Sequence, residues 1–366
     1  MVSPSQNVAT SIVIGRTANP NLASQAVTLA MHKADISHTN SVLLLLSSEF
    51  ANNPQPAIRA AAKAANCTQV FGCSATGIFT EEDWVLDAPA AAAMVFSGDV
   101  GIQLARQNTT QQALLTLTAP NAINSAWLND GNVRYGGVSG DVVGQGPFSV
   151  WQNGKGDSSG RVEAFFSGVK QASMASHGLR ILTKAKKIQQ LAGFDIALLD
   201  HKPPFQALQK AWQNYSKSDD PVPLHLVMAL YADSAESINK GVYKQTHIIS
   251  FDETEGVVTL AQALQEGQFI SWALRDKSTA QADLRITAHQ LTQMLEAEPD
   301  FGLLFSCIGR GPYYDGIDHD LNVLTQQFPH MPLIGFYGNG EIAPIGGNNQ
   351  LLPYSAVLSL FAELQE

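Results

Sequence analysis

Hydrophobic residues along this chain come in short unbroken runs that stop abruptly at glycine or serine. Phe301–Cys307 is followed by Ile308-Gly309-Arg310-Gly311, and Pro332–Phe336 by Tyr337-Gly338-Asn339-Gly340-Glu341. Runs of this kind read as strands buried on both faces, and the glycines let the backbone turn or approach a neighbour closely. Charged residues set down at such strand ends, here Arg310 and Glu341, serve a ligand more often than a core.

A weaker copy of this layout occupies the first half. Val42–Leu46 is an apolar run ending in Ser47-Ser48, Pro56–Ala65 reads as an alanine-rich helix, and Thr68–Gly72 runs into Cys73-Ser74-Ala75-Thr76-Gly77. Ser47 precedes Gly72 by 25 positions and Ser306 precedes Gly335 by 29. The pattern predicts an internal repeat of βαβ units, with convergence on a common layout as the alternative.

Other elements follow from local signals. Asn19-Pro20 opens a helix to Ala34, and Ala280–Glu296 carries Leu284, Ala288, Leu291 and Leu295 on one stripe. Ala90–Ser97 and Val100–Arg106 read as a hairpin about Gly98-Asp99, and residues 131–160 as a glycine-rich stretch of tight turns. Arg161–Ser167, His177–Lys184, Leu224–Tyr231, His247–Phe251, Gln268–Leu274 and Tyr354–Phe361 complete the strands, and Phe205–Tyr215 is a further helix. The fold class expected is α/β of the mixed α+β kind: two related halves with mixed sheets and βαβ units, and a strand-rich middle. Residues 1–190 and 195–366 are the expected domains, joined within Lys186–Pro204.

At 366 residues, two domains are the prior, and a net charge of −10 argues against nucleic acid or an anionic membrane as partner. Cys67, Cys73 and Cys307 make neither a disulfide framework nor a zinc pattern. Without a signal peptide or an apolar run near the ~18 residues of a spanning helix, a cytoplasmic protein without membrane insertion is expected.

Residues that bear chemistry are sparse. Gly338-Asn339-Gly340-Glu341-Ile342-Ala343 matches a dinucleotide fingerprint only formally, because Pro344 and Gly346-Gly347 oppose the helix that fingerprint must open. Asp315, Asp318, His319 and Asp320 could hold a metal, but capping the helix near Asp318 is the simpler role, so no metal site is assigned. The histidines show no arrangement with a nucleophile, so no catalytic residue is assigned and the expectation is that the protein is not an enzyme. Arg310 is read as an anion clamp, its planar fork suiting a carboxylate.

These residues resemble a known family. The segments around Phe305-Ser306-Cys307 with Gly309-Arg310-Gly311, and Pro332–Phe336 with Gly338-Asn339-Gly340-Glu341-Ile342, are similar to the C-terminal part of FIST domains, an intracellular sensory module. Gly72–Gly77, Gly136-Gly137 through Gly140, and loosely His177–Leu199, are similar to the N-terminal part. The resemblance implies a sensor of small polar ligands, typically amino acids, signalling here through a separate protein partner. It also implies haem in the nitric-oxide-sensing branch, so a haem-based nitric-oxide or gas sensor with His177 as ligand is an alternative, although no cofactor is assigned. In this sequence Gly77 is followed by Ile78 where a glutamate is often found. The expected ligand-binding set is Cys73, Ser74, Gly77, Gly137, Ser139, Cys307, Arg310, Gly338, Asn339 and Glu341. Arg310 would take the ligand's carboxylate, Glu341 its ammonium or another donor, and the turns at Gly77, Gly137 and Gly338 would offer backbone N–H groups. A cysteine-dependent enzyme using Cys73 or Cys307 is the remaining alternative.

Overall fold

The computed structural model describes residues 7–105, 112–141, 143–312 and 316–364; Arg106 and Asp315 lie outside them. The chain opens with β1 (Val8–Ile14), α1 (Asn21–Ala34), β2 (Ser41–Ser47), α2 (Gln55–Ala65), β3 (Val70–Ala75), a hairpin of β4 (Gly77–Thr80) and β5 (Trp84–Leu86), and β6 (Ala90–Phe96). The strand-rich middle comprises β7 (Gly101–Leu104), β8 (Leu114–Thr118), the single turn α3 (Ser125–Leu128), β9 (Arg134–Val138), β10 (Val150–Gln152), β11 (Lys155–Gly156), β12 (Arg161–Ser167) and β13 (Val169–Ser176). Next come β14 (Leu179–Ile181), β15 (Lys186–Ala192), β16 (Asp195–Leu199), α4 (Pro204–Ser216), β17 (Val227–Ala232), α5 (Ala235–Asn239), β18 (Lys244–Asp252), β19 (Val257–Leu260) and β20 (Phe269–Arg275). The chain closes with α6 (Lys277–Leu295), β21 (Phe301–Cys307), α7 (His319–Gln327), β22 (Leu333–Gly338), a hairpin of β23 (Glu341–Ile345) and β24 (Asn348–Leu352), and β25 (Ala356–Glu363). The fold is mixed α+β.

Two compact units result, one from residues 1–177 with 283–366 and one from residues 178–282. The division thus falls at two points rather than once near residue 190. Lys186–Pro204, read from sequence as a join, instead holds the paired strands β15 and β16 and the start of α4. Ala90–Ser97 and Val100–Arg106 are not a hairpin either. β6 lies between β1 and β2 in one sheet, and β7 pairs with β12 in another, because the alanine-rich face of β6 suits a crowded sheet centre.

The first unit contains the repeat. One sheet has the order β1-β6-β2-β3-β10-β11 and a second β13-β25-β21-β22-β4-β5. In each, the pair following a helix runs parallel, β2 with β3 and β21 with β22, and the closing strand lies antiparallel between the first two. The register equates Gly72 with Gly335, since Leu44 faces the former and Leu304 the latter. A Cβ on Gly72 would lie 1.7 Å from the Leu44 carbonyl oxygen, and one on Gly335 1.9 Å from that of Leu304. The same close approach is thus built twice. Counting on from these glycines, Ser47 corresponds to Cys307 rather than to Ser306, Thr76 to Asn339, Gly77 to Gly340 and Ile78 to Glu341.

Each parallel pair is covered by its own helices. α1 and α2 bury Ala23, Ala26, Val27, Ala30, Ile58 and Ala61 against Val42, Leu44 and Leu46. α6 and α7 bury Leu284, Ala288, Leu291, Leu295, Leu321 and Leu324 against Leu304 and Leu358, so the stripe read from the sequence of α6 is the buried one. Left-handed Asp35 and Asn66 end α1 and α2. The alternate residues of β2 and β21, Leu43, Leu45, Leu303 and Phe305, face a central core. A third sheet, β24-β23-β9-β8-β12-β7, adds Leu115, Leu117, Val162 and Phe166 to it. Burial on both faces explains why these strands are apolar throughout.

The second unit is separate in topology. Its sheet runs β14-β20-β15-β16-β19-β18-β17, and β17 also pairs with β20, which closes the antiparallel strands into a barrel. Its own core includes Ile188, Ile196, Ala229, Trp272 and, from α4, Phe205 and Leu208.

Candidate functional site

In open parallel α/β layouts, ligands gather outside the carboxyl ends of the strands. Here β3 and β22 end at corresponding positions, and the residues just beyond, Thr76 and Asn339, line one hollow of about 480 Å³. Leu86, Asp87, Asp141, Val143, Gly144 and Ile308 complete its walls. The hollow therefore takes a wall residue from the same position in each copy of the repeat, Ile308 besides from the second copy, and acidic groups from the loops after β5 and β9.

Close backbone packing positions this hollow. The Asn339 N–H donates to the Val138 carbonyl at 3.0 Å and the Val138 N–H to that of Gly340 at 2.9 Å, zipping the turn after β22 onto β9. A Cβ on Gly338 would lie 2.2 Å from the Val138 oxygen, and one on Gly140 2.6 Å from Thr76 Oγ1 and 3.2 Å from Asn339 Oδ1. Gly338-Asn339-Gly340 leads into strand β23 rather than a helix, so it offers no helix N-terminus to a pyrophosphate. Thr76 is buried and, among the described residues, its Oγ1 has no hydrogen-bond partner, nor does Asp141 Oδ1; the other Asp141 oxygen accepts the Gly146 N–H at 2.9 Å.

Of the ten residues expected at the site, Asn339 lines this hollow. The others are packed or paired within the protein. Ser139 Oγ donates to the Ser74 carbonyl at 2.5 Å, and Ser74 Oγ accepts the Ser149 N–H at 3.0 Å, so both hydroxyls staple β9 and the β10 approach to β3. Gly137 lies against Phe336 and Phe305, and Gly77 against Leu86 and Tyr337. Cys73 is a fully buried core residue, and burial pushes its thiol far above the ordinary pKa; Cys307 is buried as well. A buried, protonated thiol is no nucleophile, which removes the chemical basis of a Cys73-dependent enzyme.

Arg310 and Glu341 are drawn towards each other, but away from solvent, at 2% and 0% exposure. The Arg310 guanidinium donates to Asp320 at 2.7 and 3.2 Å, to the Ser176 carbonyl at 2.5 Å and to Ser176 Oγ at 2.9 Å. Its fork is occupied by the protein's own carboxylate, so the expected clamp on a ligand carboxylate is corrected to a buried ion pair. Glu341 accepts from Ser355 Oγ at 2.8 Å through one oxygen, and among the described residues its Oε1 has no hydrogen-bond partner. Burial raises the Glu341 pKa well above the carboxylate range, opposed by the Ser355 hydroxyl and the Arg310 charge. The expected ammonium contact is thereby corrected too: Glu341 is buried within the protein, its pKa pushed up by burial, and is not open to a ligand.

The same cluster includes Asp318, which caps α7 by accepting the Leu321 N–H at 2.9 Å and receives the Tyr337 hydroxyl. Burial, and then the Asp320 charge, raise the Asp318 pKa to about 6. Arg310 is committed to Asp320, and the buried Asp318 and Glu341 carboxyls retain protons more readily. Asp318 thus has the capping role, and Asp315 lies outside the described residues. Among the described residues no group of three or more His, Cys, Asp or Glu is arranged to hold a metal ion.

His177 directly follows β13 and is buried, with its pKa lowered to about 4 by burial first and by the Arg310 charge, against the pull of Asp283. It is neutral at pH 7. A haem needs apolar surface against both of its faces, whereas the groups acting on this imidazole are ionic, so the residues present do not fit that cofactor.

Thr76, Asp87 and Asp141 were missed by the reading from sequence. Thr76 carries a signal only once the repeat register is known, and Asp141 lies in the glycine-rich stretch without a charge partner to single it out. The fold is that of a two-unit α+β protein whose first unit carries a hollow of small-ligand size. Residues 205–344 match the FIST C domain, a sensory, ligand-binding family to which this segment of the chain is therefore similar. An uncharacterized protein of Mycobacterium tuberculosis strain H37Rv is 24% identical over 381 residues, covering 96% of this chain and 100% of that one. An uncharacterized protein of Mycobacterium bovis is 25% identical over 375 residues, covering 95% and 94% respectively. No described helix is long and apolar enough to cross a membrane.

Proposed function

We propose that this protein is a sensor of a small molecule bearing an ammonium group, an amino acid or a related amine, held in the hollow beyond β3 and β22, with its signal passed to a separate protein. The observation that carries this reading is the Asp141 oxygen, unpartnered among the described residues, beside Thr76 and Asn339 in a wall whose described residues include Asp87 and no cationic side chain. Two carboxylates without a counter-charge favour a cation, and a hydroxyl and a carboxamide add directional hydrogen bonds. Leu86, Val143 and Ile308 supply apolar surface for a short side chain. Because Arg310 is engaged by Asp320, the amine rather than the carboxylate is the recognised end of the ligand.

Isothermal titration calorimetry of the whole chain with the standard amino acids and with small amines tests this. At least one amine-bearing compound is expected to bind saturably, and Asp141→Asn to weaken it about tenfold or more, the loss of one charge-assisted hydrogen bond. Absence of binding at millimolar concentration across the panel, or an unchanged affinity in Asp141→Asn, would overturn the reading.

A further inference from the structure

The chain is acidic overall, with a net charge of −10, yet the charged side chains around one hollow in the second unit are all cationic. It measures about 510 Å³ and lies between α4 and the strand start at β15. Lys184, Lys186, Lys202 and Lys210 line it, and no aspartate or glutamate does. Lys186 is half-buried while the other three are exposed. Among the described residues, none of these four ammonium groups has a hydrogen-bond or ion-pair partner.

Four like charges around one concavity repel one another, and the arrangement is relieved only by an anion that several of them share. Lysine is a compact, mobile point charge, suited to the spherical charge distribution of phosphate rather than to the planar fork of a carboxylate. The remaining walls indicate what accompanies the phosphate. Leu182, Pro203 and Ala211 offer apolar surface, and Gln206 and Asn214 on α4 offer carboxamides. The volume falls within the range of roughly 300–1,000 Å³ that drug-sized ligands fill.

From these observations we infer that the second unit binds a phosphorylated small molecule of nucleotide size, its phosphates among the four lysines and its organic part on the Leu182–Ala211 side. This site is distinct from the hollow at Thr76 and Asn339 and opposite to it in charge preference, so the two readings stand or fall separately. A long polyanion is disfavoured by the concavity and by the chain's net charge of −10, which repels an extended phosphate backbone.

The test is titration calorimetry of the full chain at low salt with pyrophosphate and with ATP. Saturable one-to-one binding is expected for both, tighter for ATP, and weakened at least about tenfold in Lys202→Gln/Lys210→Gln, whose exposed positions leave the core intact. Asp141→Asn is expected to leave this binding unchanged. Three results would overturn the inference: no heat from either probe at millimolar concentration, equal binding in the double variant, or an RNA oligomer that binds more tightly in proportion to its length.

Discussion

At the scale of single residues, the buried carboxyls around Arg310 set how stability depends on pH. Asp318 has a folded pKa of about 6 against 3.8 when exposed. The folded state therefore holds the proton more tightly, and stability from this group is fully present below pH 3.8 and lost as pH rises towards 6. The shift of about two units is worth about 3 kcal/mol. Asp318→Asn keeps an oxygen for the Leu321 cap but cannot ionise. Urea denaturation from pH 4 to 6 is expected to show a shallower fall in stability for this variant than for the parent, and parallel slopes would refute the assignment. Arg310 gives a second prediction. Arg310→Met leaves Asp320 buried without its partner and is expected to cost about 3–5 kcal/mol, whereas Arg310→Met/Asp320→Leu recovers most of that loss by removing both charges. That charged residues sit at these strand ends was legible from Phe305–Gly311 and Gly338–Glu341. That Arg310 would be satisfied by Asp320 and Ser176 was not: Asp320 is ten positions away among several acidic residues with nothing local to single it out, and Ser176 is 134 positions away, so only folding makes it a neighbour.

At the scale of elements, the two parallel strand pairs are the device that places the hollow. Their glycines are the constraint most open to test. Gly335→Ala would force a Cβ to within 1.9 Å of the Leu304 carbonyl oxygen, and Gly72→Ala one to within 1.7 Å of that of Leu44. Backbone rather than a flexible side chain is struck in each case, so each substitution is expected to destabilise by about 2 kcal/mol or more, read as a lowered denaturant midpoint. Gly347→Ala, which meets nothing within 4 Å, serves as the comparison, with only the cost of its positive φ. The apolar runs and the α6 stripe were readable because periodicity records burial directly. The pairing of β6 with β1 and β2 was not, since adjacent strands with a short glycine turn carry the same local signal whether or not they join.

At the scale of the whole molecule, the second unit is inserted between β13 and α6 of the second repeat copy, where the first copy has only the short link from β1 to α1. Within the first unit, Ser176 Oγ donates to Asp283 Oδ2 at 2.7 Å, so the two ends of the insertion meet there. The inserted segment has a closed set of strands and a core of its own. Residues 178–282 expressed alone are expected to unfold cooperatively, with a circular dichroism spectrum dominated by strand. A non-cooperative, coil-like melt would show that this unit depends on the rest of the chain.

The order of residues was enough to establish the mixed α+β class and the buried strands and to point to a repeat, with convergence left as the alternative, because burial and backbone freedom leave periodic and glycine signals along the chain. It took the folded chain to reveal that Arg310 and Glu341 belong to the interior, that Thr76, Asn339 and Asp141 share a hollow, and that four lysines surround another. Those facts depend on which distant side chains meet, and charge pairing across the fold, unlike hydrophobic period, leaves no local trace.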